Sequence, residues 1–184
     1  MDLRVQFPDP AGATDWQEWA RRLVETLSRM ITPTPQDQYP IVVLKDKKAT
    51  GTQGGASVAG WNNRQLNTEY DPVGICLLLA DSTFTMVKGR YLIRASAPAY
   101  GAGQHQARLR NLSQGTIELW GTSEYMLAAG GQTRSWIVGV IEPKAATNYR
   151  LEHWIANPVV TNGLGVVTGQ GDEVYSQVEL WGLA

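Results

Sequence analysis

Apolar residues recur along this chain with two different periods. Near the N-terminus they fall at Trp16, Ala20, Leu23, Leu27 and Met30, alternating steps that place them on one heptad-like seam of a helix. Arg21, Arg22, Glu25, Ser28 and Arg29 take the remaining faces, and Trp19 widens the stripe. Thr14 with Gln17 has the form of a capping box, and Asp15 and Glu18 suit the positive end of a helix dipole. Thr32-Pro33-Thr34-Pro35 cannot continue the helix, so it ends near Ile31 after about 25 Å. A helix that short is marginal alone in water. Its stripe is buried either on the rest of the chain or against a second copy or a partner. The stiff Pro-containing linker to Pro40 favours the latter.

From Ile41 the period changes to two, the signature of strands. In Gly89–Ala97, Tyr91, Ile93, Ala95 and Ala97 share one face and Arg94 and Ser96 the other. His105–Asn111 alternates likewise, with Ala107 and Leu109 inward and Gln106, Arg108 and Arg110 outward. Thr116–Trp120, Ser135–Ile141, Tyr149–Ile155 and Glu173–Trp181 read as further strands. In the last, Val174, Ser176, Val178 and Leu180 oppose Glu173, Tyr175, Gln177, Glu179 and Trp181. Turn signals separate the strands at Asn62-Asn63, Asp71-Pro72, Lys88-Gly89, Gly101–Gly103, Gln114-Gly115, Gly130-Gly131, Asn157-Pro158, Asn162-Gly163 and Gly169–Gly171. Lys48–Gly60 reads as a long ordered loop or an edge strand. Short strands at this spacing, without a helical period between them, predict an antiparallel sandwich or barrel over 41–184, preceded by an appendage of helix and linker over 1–40.

Composition narrows the functions available. The chain has 184 residues, 16 Lys and Arg against 17 Asp and Glu, and a net charge of −1, so it carries no electrostatic footprint for nucleic acid or an anionic membrane. Lys45, Lys47 and Lys48 beside Asp46 read as a short solvated run. No stretch approaches the roughly 20 apolar residues needed to span a bilayer, and the first residues lack the pattern of a signal peptide. The single Cys, Cys76 in the apolar run Ile75–Ala80, reads as a small buried hydrophobe.

Chemistry is sparse. The only His residues, His105 and His153, lie far apart in sequence and read as strand-surface or inter-strand hydrogen-bonding residues, not metal ligands. There is no nucleophile elbow, and the Gly-rich stretches at Gly51–Gly55 and Gly163–Gly165 lack the Lys and helix of a phosphate loop. Asp71, Asp81, Glu118, Glu124, Glu152, Asp172 and Glu173 are the carboxylates from which a glycosidase pair would have to come. The expectation is a non-enzyme with no cofactor and no metal. Exposed aromatics near loops could instead stack on sugars. Tyr100, Trp120, Tyr125 and Trp154 are the candidates for ligand contact, each with a place in the core or at a subunit interface as its alternative.

Arg64–Thr68, Gly89–Tyr100, His105–Asn111, Gly121–Tyr125, Gln132–Ser135 and Glu173–Trp181 follow one another in an order that resembles the jelly-roll head of bacteriophage and prophage fibre proteins, similar in fold to tumour-necrosis-factor-like and complement-head domains. The resemblance implies a mainly β protein, an antiparallel jelly-roll sandwich preceded by a short N-terminal helix, assembled as a homotrimer. It implies a structural virion protein, a tail-fibre subunit made in the bacterial cytoplasm. Its N-terminal segment, through Trp16, Trp19, Ala20, Leu23, Leu27 and Met30, would form an anchor or oligomer seam to other virion proteins. Its head would be presented for attachment to a host-surface glycan or protein, without membrane insertion or nucleic acid. The alternative is a head fibre, capsid decoration or baseplate component with no receptor role, and a glycan-degrading enzyme is the remoter one. Seven Trp exceed the needs of one core this size, so some are expected at interfaces, where Trp is favoured.

Overall fold

The computed structural model describes residues 16–31, 42–127 and 130–183. The chain divides into two compact units, Met1–Tyr39 and Pro40–Ala184. In the first, α1 runs from Trp16 to Ile31. Glu18 pairs with Arg22 one turn on, and Arg21 with Glu25 at 2.9 Å. Both pairs are solvent-exposed and contribute about 0.3–0.5 kcal/mol each. Trp19 and Leu23 are half-buried and Ala20 is exposed. The capping residue Thr14, the Pro-rich linker, and the side chains of Trp16, Leu27 and Met30 lie outside the described residues.

The second unit contains β1 (Val42–Lys48), β2 (Gly60–Asn63), β3 (Thr68–Tyr70), β4 (Cys76–Leu78), β5 (Phe84–Met86), β6 (Tyr91–Tyr100), β7 (Gly103–Asn111), β8 (Thr116–Met126), β9 (Gln132–Ile141), β10 (Thr147–Ile155) and β11 (Glu173–Gly182). Sheet I has the order β3-β1-β11-β6-β9; sheet II has the order β4-β5-β10-β7-β8, with β2 also paired to β10. Every pairing is antiparallel. From β5 onward each connection crosses to the other sheet, except the β7–β8 hairpin. That path makes the sandwich a jelly roll.

Alternation puts one face of each longer strand of the two layers into a shared core: Val42 and Leu44 from β1, Ile93, Ala95 and Ala97 from β6, Ala107 and Leu109 from β7, Ile137 and Ile141 from β9, Leu151 from β10, Val178 and Leu180 from β11. Phe84 stacks on Tyr149 at 5.9 Å between centroids. Each fully buried aliphatic side chain contributes about 1.5–3 kcal/mol, so this layer dominates the stability of the unit.

Several sequence-based expectations are corrected. Val174 is exposed and Tyr175 buried, the reverse of the alternation expected for this strand. The cause is a bulge: Lys45 pairs with Gln177 but Lys47 with Val174, so an extra residue of β11 shifts the phase. Asn62-Asn63 is not a turn; it belongs to β2, and Asn62 turns its amide back to accept from Val58 N at 2.8 Å and donate to Val58 O at 2.8 Å. The Lys45–Lys48 run is not simply solvated, since Asp46 is buried and Lys48 donates to Gly54 O at 2.9 Å. Cys76 lies on the outer strand β4 and is only half-buried; burial, with Glu69 and Asp71 nearby, pushes its thiol up to about 12. Residues 49–59 form an ordered loop rather than an edge strand. It pairs with the 157–165 loop through Gly54 N to Gly165 O at 2.9 Å, Ser57 N to Val159 O at 2.9 Å and Leu164 N to Gly55 O at 3.0 Å.

Candidate functional site

The outer face of sheet II is where aromatic residues gather. In register across it lie Trp61 of β2, Trp154 of β10, Gln106 of β7 and Ser123 of β8. Next to this row, Arg108 faces Trp120, and Gln104 faces Tyr125. Trp120 and Tyr125 are five residues apart, and an uninterrupted strand would send them to opposite faces. A bulge between the Gln106 and Arg108 pairings inserts one extra residue into β8 and turns both outward. Gly121 sits at that bulge because a Cβ there would lie 3.0 Å from the carbonyls of both Ala107 and Trp136. Ser135 Oγ secures it, accepting from Ala107 N at 2.9 Å and donating to Thr122 O at 2.7 Å.

Two sub-regions result. Trp61 and Trp120 lie 6.0 Å apart, and the Arg108 guanidinium sits 3.5 Å over the Trp61 ring. Arg108 is also paired with the buried Glu152 at 2.6 Å. That cluster is internally matched. Trp154 and Tyr125 instead border a recess of about 410 Å³ lined by Gln104, Gln106, Ser123 and Glu124. Beneath it, buried His105 and His153 meet edge to face, and His105 Nε2 lies 2.7 Å from Thr133 Oγ1. Burial lowers the pKa of both rings, more strongly for His153, and the nearby Arg64 charge acts in the same sense.

The outer face of sheet I has a different character. Trp181, Leu92 and Val140 lie in one cross-strand row, Glu179, Arg94 and Val138 in the next, and Gln177, Ser96 and Trp136 in a third. Trp136, Val138 and Val140 are 44%, 65% and 41% exposed although their neighbours Ile137 and Ile141 fill the core. Strand β9 is therefore apolar on both faces, the pattern of a strand covered on both sides. Arg94 crosses this face, donating to Glu179 at 2.7 Å and lying 5.7 Å from the Trp181 ring centroid.

Of the ligand-contact candidates, Trp154 and Tyr125 share the recess and Trp120 adjoins it, while Tyr100 is half-buried at the end of β6 in sheet I. Trp61 completes the cluster; the adjoining Asn pair, with its turn-like sequence, masked it. The carboxylates considered for catalysis are each engaged separately. Asp71 caps its own turn through Gly74 N at 2.9 Å, Asp81 pairs with Arg150 at 2.9 Å, and Asp172 with Lys47 at 2.6 Å. Glu118 accepts from Asn111 at 3.1 Å and Glu124 from Thr122 at 2.7 Å. Glu173 accepts from Gly169 N at 2.7 Å. Among the described residues no group of three or more His, Cys, Asp or Glu is placed to hold a metal ion, and no helix is long and apolar enough to cross a membrane.

No protein-family model and no curated protein matches the sequence. Solved structures do match its fold. The globular domain of the zebrafish complement 1qA protein superposes with a TM-score of 0.50 at 12% identity, covering 80% of this chain and 98% of that one. Eiger TNF from S. frugiperda gives a TM-score of 0.46 at 11% identity, covering 79% and 94%. With its strand path, the likeness to the complement 1qA domain makes the fold a jelly-roll sandwich of the complement-head kind.

Proposed function

We propose that this chain is a non-catalytic bacteriophage fibre subunit, a tail-fibre protein that assembles as a homotrimer. The observation that carries the trimer is the outer face of sheet I. Trp136, Val138 and Val140 along β9, with Leu92 and Trp181 in the row of Val140, form an apolar band beside the Arg94–Glu179 pair, on a sheet whose other face already fills the core. Apolar patches of this kind on a soluble domain mark a protein interface. A closed ring of copies around an axis would cover it and leave sheet II outward. The fibre reading itself is supported by the order of fibre-like segments in the sequence. In it, the helix seam attaches to other virion proteins and the outer face of sheet II meets the host surface.

Sedimentation equilibrium of the full chain tests the assembly. The expected mass is three times the 20.2 kDa protomer. Val138→Lys, on the exposed face, should dissociate the head without unfolding it. A wild-type monomer at micromolar concentration, or a Val138→Lys variant that stays trimeric, would overturn the sheet I interface.

A further inference from the structure

The recess between Trp154 and Tyr125 has features that the sandwich does not need for its own stability. Its two aromatic borders are 36% and 63% exposed, although Trp and Tyr are favoured where an apolar ring meets a ligand. The polar groups between them converge on the same space. Gln106 donates through Nε2 to Gly121 O at 2.8 Å, which fixes the amide and leaves its carbonyl oxygen free to accept. Gln104 and Ser123 add further donors and acceptors. At about 410 Å³ the recess falls within the size range of small-ligand sites.

The charge pattern selects among ligands. Among the residues lining the recess none turns a free charge into it: Glu124, the cross-strand partner of the buried His105, lies on the opposite face of β8, and the nearby Arg108 is already committed to Glu152 and to the Trp61 ring. An anionic ligand would find no free cation there to balance it. An extended peptide could pair only along the outer edge of β8, beside the recess and not within it, because β7 is hydrogen-bonded to β10 on one side and β8 on the other. A ring with one apolar face and equatorial hydroxyls meets both requirements: the face stacks on an aromatic and the hydroxyls bond to the amides and the Ser123 hydroxyl.

We infer that the Trp154–Tyr125 recess binds an uncharged pyranose, as the end or a branch of a neutral glycan. The inference deepens the reading of sheet II as the face turned to a host surface, and rests on it for its biological sense. Trp154 supplies the stacking platform. Gln104, Gln106 and Ser123 read the hydroxyls.

The test is saturation-transfer-difference NMR on the full chain with methyl β-glucopyranoside, methyl β-galactopyranoside and methyl N-acetyl-β-glucosaminide. N-acetylneuraminic acid and an unstructured Gly-Ser peptide serve as the other arms. Transfer to the ring protons of at least one neutral glycoside is expected, with none to the acid or the peptide. Trp154→Ala should weaken that binding about tenfold or more, as loss of a central aromatic contact does, and Trp154→Phe should retain most of it. If Trp154→Ala loses its native circular dichroism, Tyr125→Ala at the more exposed border takes its place. The inference is overturned by the absence of transfer from every neutral glycoside, by undiminished transfer in the folded alanine variants, or by preference for the acid or the peptide. Mass measured on the same samples keeps the two proposals apart. A monomer that binds sugar refutes the trimer alone, and a trimer that binds none refutes the recess alone.

Discussion

His105 Nδ1 lies 2.9 Å from His153 Nε2, and both imidazoles are shut off from water. Only one proton fits between them. His153 Nδ1 has no hydrogen-bond partner. The tautomer in which His153 Nε2 donates to His105 leaves an unpartnered lone pair there, which is less unfavourable than a buried N–H without an acceptor. His105 Nε2 then donates to Thr133.

This pair makes the head sensitive to acid. Burial depresses both pKa values in the folded state, so near pH 6.5 the unfolded chain takes up protons that the folded chain refuses. Stability should be flat above that pH and fall as pH drops below it towards the depressed folded values. Urea midpoints measured between pH 8 and 5 would show the slope, and His153→Gln should flatten it. An unchanged slope in that variant would mean that other groups control the acid response.

Arg64 is a second internal strut. Its guanidinium is wholly buried and donates to Ser176 Oγ at 2.7 Å, Leu164 O at 2.7 Å and Pro98 O at 3.3 Å, tying the segment after β2 to β11, β6 and the 157–165 loop. Burial lowers its pKa to about 10, with the opposing charge of Asp46 limiting the drop, so it remains a cation at neutral pH. Arg64→Met should cost about 3–5 kcal/mol in chemical unfolding, because it leaves Ser176 Oγ, Leu164 O and Pro98 O without their donor and removes one of the two cations, with Lys48, that offset the buried Asp46. Arg64→Lys keeps the charge but not the fork, and should lie between.

The loop pairing at Gly54 and Gly165 tolerates no side chain. A Cβ on Gly54 would lie 2.7 Å from the Gly165 backbone, and one on Gly165, where φ is +139°, would lie 2.2 Å from the Tyr175 ring. Either alanine should separate the loops and destabilise the unit by about 1–3 kcal/mol. Limited proteolysis should then cut within 49–59 or 157–165 before it cuts the strands. Gly115→Ala, at φ +71° but in open space, should show only the backbone penalty and no loop cutting.

Gly121 links the bulge to the recess. Gly121→Ala displaces Ser135 Oγ, 2.7 Å from the added Cβ, and crowds the Ala107 and Trp136 carbonyls; without the Ser135 bridge the relief is to remove the extra residue from the pairing. That would turn Tyr125 away from the outer face. The expected result is a folded head with reduced Tyr125 accessibility to tetranitromethane and with weaker glycoside transfer. Retained nitration would show that the bulge survives the substitution.

Much of the fold is legible along the chain. Tyr91, Ile93, Ala95 and Ala97 on β6 and Ala107 and Leu109 on β7 face the core as their alternation requires, because one buried face imposes a period of two on any strand. The unbroken apolar run Trp136–Ile141 likewise shows a strand apolar on both faces. The short strands β2, β3, β4 and β5 carry too few residues for a period to emerge.

The site was harder to read, for a physical reason. Alternation is local and extends only until a bulge shifts it, and bulges are decided by pairing with distant strands. Sequence by itself determined that this is a β protein with an antiparallel core, with more Trp than that core needs and without a recognisable catalytic or metal motif. Only the tertiary structure decided that Trp154 and Tyr125 border one recess while Tyr100 lies in the other sheet. It alone brought His105 against His153, 48 positions away, and buried Arg64 among three distant acceptors. Those relationships depend on which strands become neighbours, and strand order is a long-range property that no local pattern encodes.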